Sequence, residues 1–500
     1  MSPIALPITA LLGPYLAAFL NALLPSLGRP LLLACSLSSA GLGLKAILSS
    51  SPQLLAWLGP LGVQLAIDPL AGWFLLLDGL VFGAVVLDGW SRPQRASQLT
   101  LMLVLLGGLG GAAVVSDLIS LYVTLEVISI AAFLLILSET DTNLWIGLRY
   151  LLIGNTAMTL YLVGAALLYA QTESFGLSEA SALPLCAGHV FLLIGLFTKG
   201  GLFLNGFWLP ATHAAAAAPI SALLSGSVVT AGVIPLVRFS LLNEALALRI
   251  GAVGLASALL GVIAGLICTD VKRLLAWSTL SQMGLLVLMP ASAGLFGLAH
   301  GLAKAALFLS CRQLPTRALA HWNLGHCRPD QRLAFWLAPL SLAGLPPLIG
   351  SLAKTGTPSL AGPWLAPLLS LIAILAIAVY ARLWSRGETT PAPGDMTLAT
   401  AAGARDWSAG VVLLLALLWL PLLRPASLTS LLLPSKWLWL GANLAAGLLL
   451  HQLLQPKRQG PTDAPSTAPP FVLERLEHLI GGLGLMGSGL LLSLPGGWPR

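Results

Sequence analysis

Charge is what this sequence has least of. Of its 500 residues only 25 are Lys or Arg and 18 are Asp or Glu, 9% in all, against 57% hydrophobic. Soluble domains carry roughly 25% charged residues. A chain with so little to offer water cannot fold as a soluble globule, so lipid must be the solvent for most of it. Cysteine is also scarce. The five present, Cys35, Cys186, Cys268, Cys311 and Cys327, are scattered with no CxxC pair, which points away from a zinc site and from an iron–sulfur cluster. There is no basic residue before Arg29, so the opening "MSPIALPITALLGPYLAAFL" lacks the charged start of a cleaved signal peptide and reads as a first helix that stays in the membrane. Glycine loops that follow a strand, nucleophile triads and metal-ligand clusters are missing too. A stand-alone enzyme and a bound cofactor are therefore not expected. The net charge of +7 reads as membrane topology, not as nucleic-acid binding.

What the chain has in quantity is long apolar runs. A helical span needs roughly 20 apolar residues, and about sixteen candidate runs separate at polar or Pro/Gly-rich breaks. They are too long for barrel strands, and backbone groups in lipid must pair within their own segment. The expected fold class is an all-α polytopic membrane protein with about 14–16 transmembrane helices. Alternating the loops between two sides places Arg29, Arg92, Arg95, Arg149, Lys272, Arg273, Arg312, Arg317, Arg328, Arg332, Arg382, Arg386, Arg405, Lys457 and Arg458 on one side. Only Lys45, Arg238, Arg249, Arg424 and Lys436 fall on the other. The positive-inside rule makes the first side cytoplasmic or its equivalent, and an even number of spans puts both termini outside. Residues 386–407 and the Pro-rich 455–470 read as polar connectors. The loop 312–332 holds His321, His326 and Cys327, which read as a solvated loop and not as a metal site. "FVLERLEHLIGG" reads as a helix end.

Each charge inside an apolar run therefore stands out, because one at the helix centre costs roughly 2.5–3.5 kcal/mol on insertion scales. Glu126 lies about 14 Å beyond Asp117 along "SDLISLYVTLEVISIAAFLLIL", at ~1.5 Å per residue. Lys199 sits in "LLIGLFTKGGLFLNGFWLP", where Gly200, Gly201, Asn205 and Gly206 predict a broken helix. His300 and Lys304 share one helix face at i,i+4 spacing in "LFGLAHGLAKAALFL". Lys354 follows "LSLAGLPPLIGSLAK", where Pro346 and Pro347 break a second helix. Approach or retreat of Glu126 would change the proton affinity of Lys199, and a neutral histidine can both donate and accept. The set reads as a proton path.

These motifs, taken together and in order, resemble the antiporter-like membrane subunits of respiratory complex I, of its photosynthetic relative, and of Mrp-type cation/proton antiporters. The resemblance covers roughly residues 68–382. It is carried by "SDLISLYVTLEVISI", "LRYLLIGNTAMTLYLVGAALLY", "KGGLFLNGFWLPATHAAAAAPISALLSG", "DVKRLLAWSTLSQMG", "HGLAKAALFL" and "SLAGLPPLIGSLAK". It implies two inverted-topology repeats, each with a broken helix, and organises the chain as 1–96, N-terminal helices; 97–240 and 241–385, the two repeats; and 386–500, C-terminal helices with polar linkers. It implies Glu126 and Lys199 as an input pair, His300 and Lys304 as relay, Lys354 as the terminal exchange site, and His213, Asp117, Thr230 and Asp270 as supporting residues. It also implies partner membrane subunits, with quinone and redox centres in other chains, and protons as the transported ion, in a bacterial plasma or thylakoid membrane. The alternatives are an Mrp-type subunit exchanging Na+ for protons and a structural subunit that has lost pumping. The sequence departs from the family at Thr230, where many relatives have lysine, and at Leu204, Gly206, Ala211, Ala217 and Ser351.

Overall fold

Several helices in this chain start where one of its few polar side chains caps them. Asp68, Asp117, Asn243 and Asp270 each accept a backbone N–H three residues on, at 2.7, 2.7, 3.2 and 2.9 Å. This satisfies donors that lipid could not. A computed structural model describes residues 5–49, 52–57, 63–138, 144–312, 314–384, 408–419 and 434–454. The connectors 386–407 and 455–470, and the run containing "FVLERLEHLIGG", lie outside these described residues.

In chain order the elements are α1 (Ala5–Leu23), α2 (Gly28–Leu48), a hairpin of β1 (Gln53–Trp57) and β2 (Val63–Ile67), α3 (Pro69–Asp88), α4 (Ala96–Val114), α5 (Leu118–Leu137), α6 (Leu144–Thr172) and the short α7 (Leu177–Ala182). They continue as α8 (Ala187–Lys199), α9 (Trp208–Ala215), α10 (Ala218–Leu223), α11 (Val229–Leu242), α12 (Glu244–Ile267), α13 (Val271–Leu288), α14 (Ala293–Ser310), α15 (Pro329–Ala343), α16 (Ile349–Ala353) and α17 (Leu365–Ala381). Two further helices span Ala409–Leu417 and Pro434–Leu454. Among the described residues nine helices are long and apolar enough to cross a membrane, and Leu11–Leu23, Ala187–Lys199 and Leu365–Ala381 are shorter apolar helices. The chain is thus an integral, multi-pass helical membrane protein. The antiparallel hairpin, with Gln53 opposite Ile67 and Trp57 opposite Val63, is an addition to the expected all-helical fold.

The segment from Ala218 to Leu242 forms the centre. An 18-residue stretch of it is apolar and buried on every side, as a helix with no solvent or lipid face must be, and only its end, at Leu241 and Leu242, emerges. A π-helical turn, Leu224–Val228, joins α10 to α11. Two glycines allow close approach: a Cβ on Gly232 would lie 2.3 Å from the Gly200 nitrogen, and one on Gly226 would lie 3.2 Å from the Gly301 oxygen. This helix therefore packs on α8 with one end and on α14 with the other.

Two stretches of five crossings repeat the same features: α4, α5, α6, α8/α9 and α10/α11, then α12, α13, α14, α15/α16 and α17. The capping Asp117 of α5 forms a bridge with Gly176, and the capping Asp270 of α13 forms one with Ala318. Each bridge uses the same bonds: Leu118 N to Phe175 O and Leu177 N to Ser116 O in one, Val271 N to Arg317 O and Leu319 N to Thr269 O in the other. At the close of each stretch an arginine reaches back to the end of its first helix. Arg238 donates to Ala113 O at 3.1 Å, and Arg382 to Leu266 O at 2.8 Å. Five passes is an odd number, which is what an inverted-topology repeat requires.

Two cations assigned above to cytoplasmic loops turn out to be held inside the bundle's edge. Arg382 also donates to Gly265 O and Cys268 O, at 2.8 and 2.6 Å, tying off the carbonyls at the end of α12. Lys272 is buried and donates to Ala216 O at 2.5 Å. Its position one residue inside α13 turns the side chain toward α9.

A chain of buried polar groups between two broken helices

Both helix breaks use one device. At the end of α8, Gly201 N donates to Thr198 O at 3.2 Å and Leu202 N to Phe197 O at 2.9 Å. At the end of α15, Gly344 N donates to Ser341 O at 2.9 Å and Leu345 N to Leu340 O at 3.0 Å. This crossed pair is the Schellman closure, and it needs a left-handed residue. Gly201 (φ +61°) and Gly344 (φ +89°) supply it. Past the second break comes the cis Pro346–Pro347 bond, where Pro347 offers no donor to continue the helix.

Lys199 is the last residue of α8, at the negative end of a half-helix, where a cation is favoured. Its Nζ lies 3.1 Å from Glu126 Oε1 and also donates to Ser129 Oγ. Asn155, with its amide nitrogen turned toward the carboxylate, donates to Glu126 Oε2 at 3.2 Å. Tyr150 packs its ring on Trp208, centroids 4.9 Å apart, and Trp208 Nε1 donates to Thr198 O at 2.9 Å. Gly154 leaves the space the ammonium occupies: a Cβ there would lie 3.2 Å from Nζ. Glu126 keeps 19% of its side chain exposed against 8% for Lys199, so the acid faces outward and the base inward.

Lys354 meets the second break from the other side. It follows α16, and its Nζ donates to Leu342 O, one of the carbonyls that the break leaves free. A buried cavity joins it to His300, with Gln282, Phe296, Ser341 and Gly350 in the wall.

Between the breaks lie His213, Lys304 and His300. Lys304 is fully buried and donates to Leu275 O at 2.7 Å and to Ser278 Oγ. Ser225, in the π turn, shares a 2.8 Å hydrogen bond with Thr279. The rings of His213 and His300 are both buried, beside backbone groups of Leu209 and Leu224 for His213 and of Ser225 for His300. His213 neighbours Lys272 and Lys304, and His300 neighbours Lys304, Lys354 and His213. A neutral imidazole can take a proton on one nitrogen and release one from the other.

The other expected site residues have structural partners. Asp117 and Asp270 are helix caps; Asp117 also accepts Gln64 N at 3.0 Å, and Asp270 pairs with Arg317 at 3.0 Å. The Thr230 hydroxyl is engaged with its own helix, donating to Ser227 O at 2.6 Å. Among the described residues no group of His, Cys, Asp and Glu is placed to hold a metal. Two groups escaped the sequence reading: Lys272, whose place in "DVKRLL" resembles a loop charge, and Asp78, an acid in the apolar run "WFLLLDGLVFG" that could have been found by the same rule as Glu126.

The fold and this interior define a class: helical membrane proteins in which buried ionisable side chains lie between two broken helices. Residues 115–379 match the family described as NADH:quinone oxidoreductase/Mrp antiporter, TM, and the chain belongs to it. NADH-quinone oxidoreductase subunit 14 of Thermus thermophilus is 33% identical over 75% of this chain and 89% of that protein. A subunit of the Na(+)/H(+) antiporter of Bacillus subtilis is 28% identical over 72% of this chain and 81% of that protein. A chain of the Mrp complex from a Dietzia species shares the fold with a TM-score of 0.72 at 19% identity, over 91% of this chain and 98% of that one.

Proposed function

We propose that this chain is a proton-translocating membrane subunit of a multisubunit complex of the complex I or Mrp kind, in a bacterial plasma or thylakoid membrane. The observation that carries the reading is the Lys199–Glu126 pair, held at 3.1 Å at the end of a half-helix. A buried ion pair is weak as a stabiliser, since desolvation offsets most of the attraction. A pair that adds little stability is better explained by use. Movement of Glu126, on the more exposed side, changes the proton affinity of Lys199. The proton then passes inward toward His213, Lys304 and His300 and leaves by Lys354. Hydroxyls of Ser129, Ser225, Thr279 and Ser278 stand along the way. The chain supplies the path, and partner subunits supply the driving reaction.

The test uses the native complex in inverted membrane vesicles, followed with a pH-sensitive dye. Glu126→Gln and Lys199→Ala are expected to abolish ion-coupled acidification while the subunit still accumulates in the complex. Wild-type acidification in both variants would defeat the reading. Acidification that needs an electron donor marks the quinone-reductase setting, and acidification driven by an imposed Na+ gradient marks the antiporter.

A further inference from the structure

The path above has a gap in its middle. The central helix bridges Lys199, whose backbone it touches at Gly232, and the His300 turn of α14, which it touches at Gly226. From Ala218 to Val237 this helix contains no ionisable residue. At ~1.5 Å per residue, six residues separate the contacts by about 9 Å. Thr230 offers a hydroxyl there, donating to Ser227 O, but no group that can hold a proton as a charge carrier.

Asp78, on α3, stands beside the π turn at the Gly226 end of that stretch. It is only 2% exposed, and its carboxyl neighbours the Ser227 hydroxyl in the π turn. Asp78 Oδ1 and Ser227 Oγ are both buried, and the Ser227 hydroxyl is a hydrogen-bonding neighbour of the carboxyl. The flanking residues of α3 pack on the same two elements, Val81 against Gly226 and Leu77 against Gly301. An acid buried so deeply without a cation is costly unless it carries its proton. The other carboxylates of the described core are engaged: Glu126 pairs with Lys199, Asp68, Asp117 and Asp270 cap helices, Asp88 pairs with Arg312 at 2.9 Å, and Asp330 with Arg328 at 2.9 Å. Asp78 has neither a cap to make nor a charge to neutralise. π turns are frequent at functional sites, because the widened backbone leaves groups unsatisfied.

We infer that Asp78 is the proton carrier of the central segment, with Ser227 as its hydroxyl neighbour. The inference rests on the proton-translocating reading. The step conserves atoms: the protonated carboxyl releases its proton toward His213 and His300 and is reprotonated from the Lys199 side, and nothing else is consumed.

The test compares variants in the native complex in inverted vesicles, with Lys199→Ala as reference. Asp78→Asn keeps the shape but cannot ionise, and a neutral amide is easier to bury than an acid. Coupled acidification is expected to fall roughly 100-fold or more, with the subunit still accumulating. Asp78→Glu, or a lysine restored by Thr230→Lys in the Asp78→Asn chain, is expected to return it. Return by either supports the inference, because a packing defect would not be repaired by a new base elsewhere. Wild-type acidification in Asp78→Asn overturns it, as does a loss that neither change restores. If Asp78→Asn does not accumulate, Ser227→Ala decides: a several-fold slowing supports the inference, and an unchanged rate overturns it. Loss in Lys199→Ala with full activity in Asp78→Asn rejects the carrier alone. Full activity in both rejects the proton-translocating reading.

Discussion

At the residue scale, position decides what a charge does, and position is only partly written in the sequence. Glu126, Lys199, His300 and Lys304 were legible because each interrupts an apolar run, and lipid has no way to hide them. Asp78 interrupts one too, yet it lies outside the family-like motifs that drew the eye. Lys272 was not legible. A lysine beside a capping aspartate looks like a loop charge until the helix turns it toward the Ala216 carbonyl. Cysteine chemistry gives a prediction at this scale. Burial, and then the neighbouring Cys311, push the Cys327 thiol in the loop before α15 up to about 12. The thiolate is the reactive form. Its fraction therefore stays negligible from pH 7 to 9, and alkylation by iodoacetamide, read by mass spectrometry, is expected to stay at background across that range. In the unfolded chain, with an ordinary thiol, the same residue should label readily and faster as pH rises. Ready labelling of Cys327 in the folded complex at pH 8 would contradict the burial seen here.

At the element scale, the breaks were legible from Gly-Gly and Pro-Pro, but their shared closure was not. Both need a left-handed glycine. A Cβ in that conformation costs roughly 1–2 kcal/mol. Gly344→Ala is expected to lower the melting temperature of the purified complex modestly, since the nearest atom to a new Cβ is the flexible Lys354 Cδ at 3.2 Å. Gly201→Ala should lower it further, because its Cβ would also meet Leu209 Cδ1 at 2.6 Å. Gly232→Ala is a different case, since its backbone needs no special conformation. There the obstacle is backbone, Gly200 N at 2.3 Å and Lys199 C at 2.6 Å, and backbone does not swing aside. Overpacking of this kind costs about 1–3 kcal/mol. It also pushes α8 away from the central helix, so acidification should fall more than stability does. A differential scan beside a pumping assay checks the split, and a Gly232→Ala complex with wild-type pumping would show that α8 and the central helix need not touch.

At the scale of the whole molecule, the repeat is a matter of matching roles, with little matching of letters. Sequence could suggest two broken helices, but the residues that tie each stretch together differ in kind: Gly176 stands against Ala318 at the bridges, and Arg238 pairs with Asp68 where Arg382 gathers three carbonyls at the end of α12. Only the backbone bonds make the equivalence plain, because a bridge reads carbonyls and N–H groups, and side chains are free to change. The five crossings in each stretch then require the two bridges to lie on opposite faces of the membrane. Ser178 and Ala320 stand two residues beyond the bridge partners Gly176 and Ala318, and both are exposed. In a chain whose native cysteines have been replaced, Ser178→Cys and Ala320→Cys offer one thiol each. The Ala320 loop carries Arg312, Arg317 and Arg328, so the positive-inside rule sets it in the cytoplasm. A membrane-impermeant maleimide added to intact cells is expected to label Ser178→Cys and to spare Ala320→Cys, and inverted vesicles should reverse the pattern. Labelling of both from one face would mean that a crossing has been miscounted between residues 178 and 320, and the inverted repeat would fall with it.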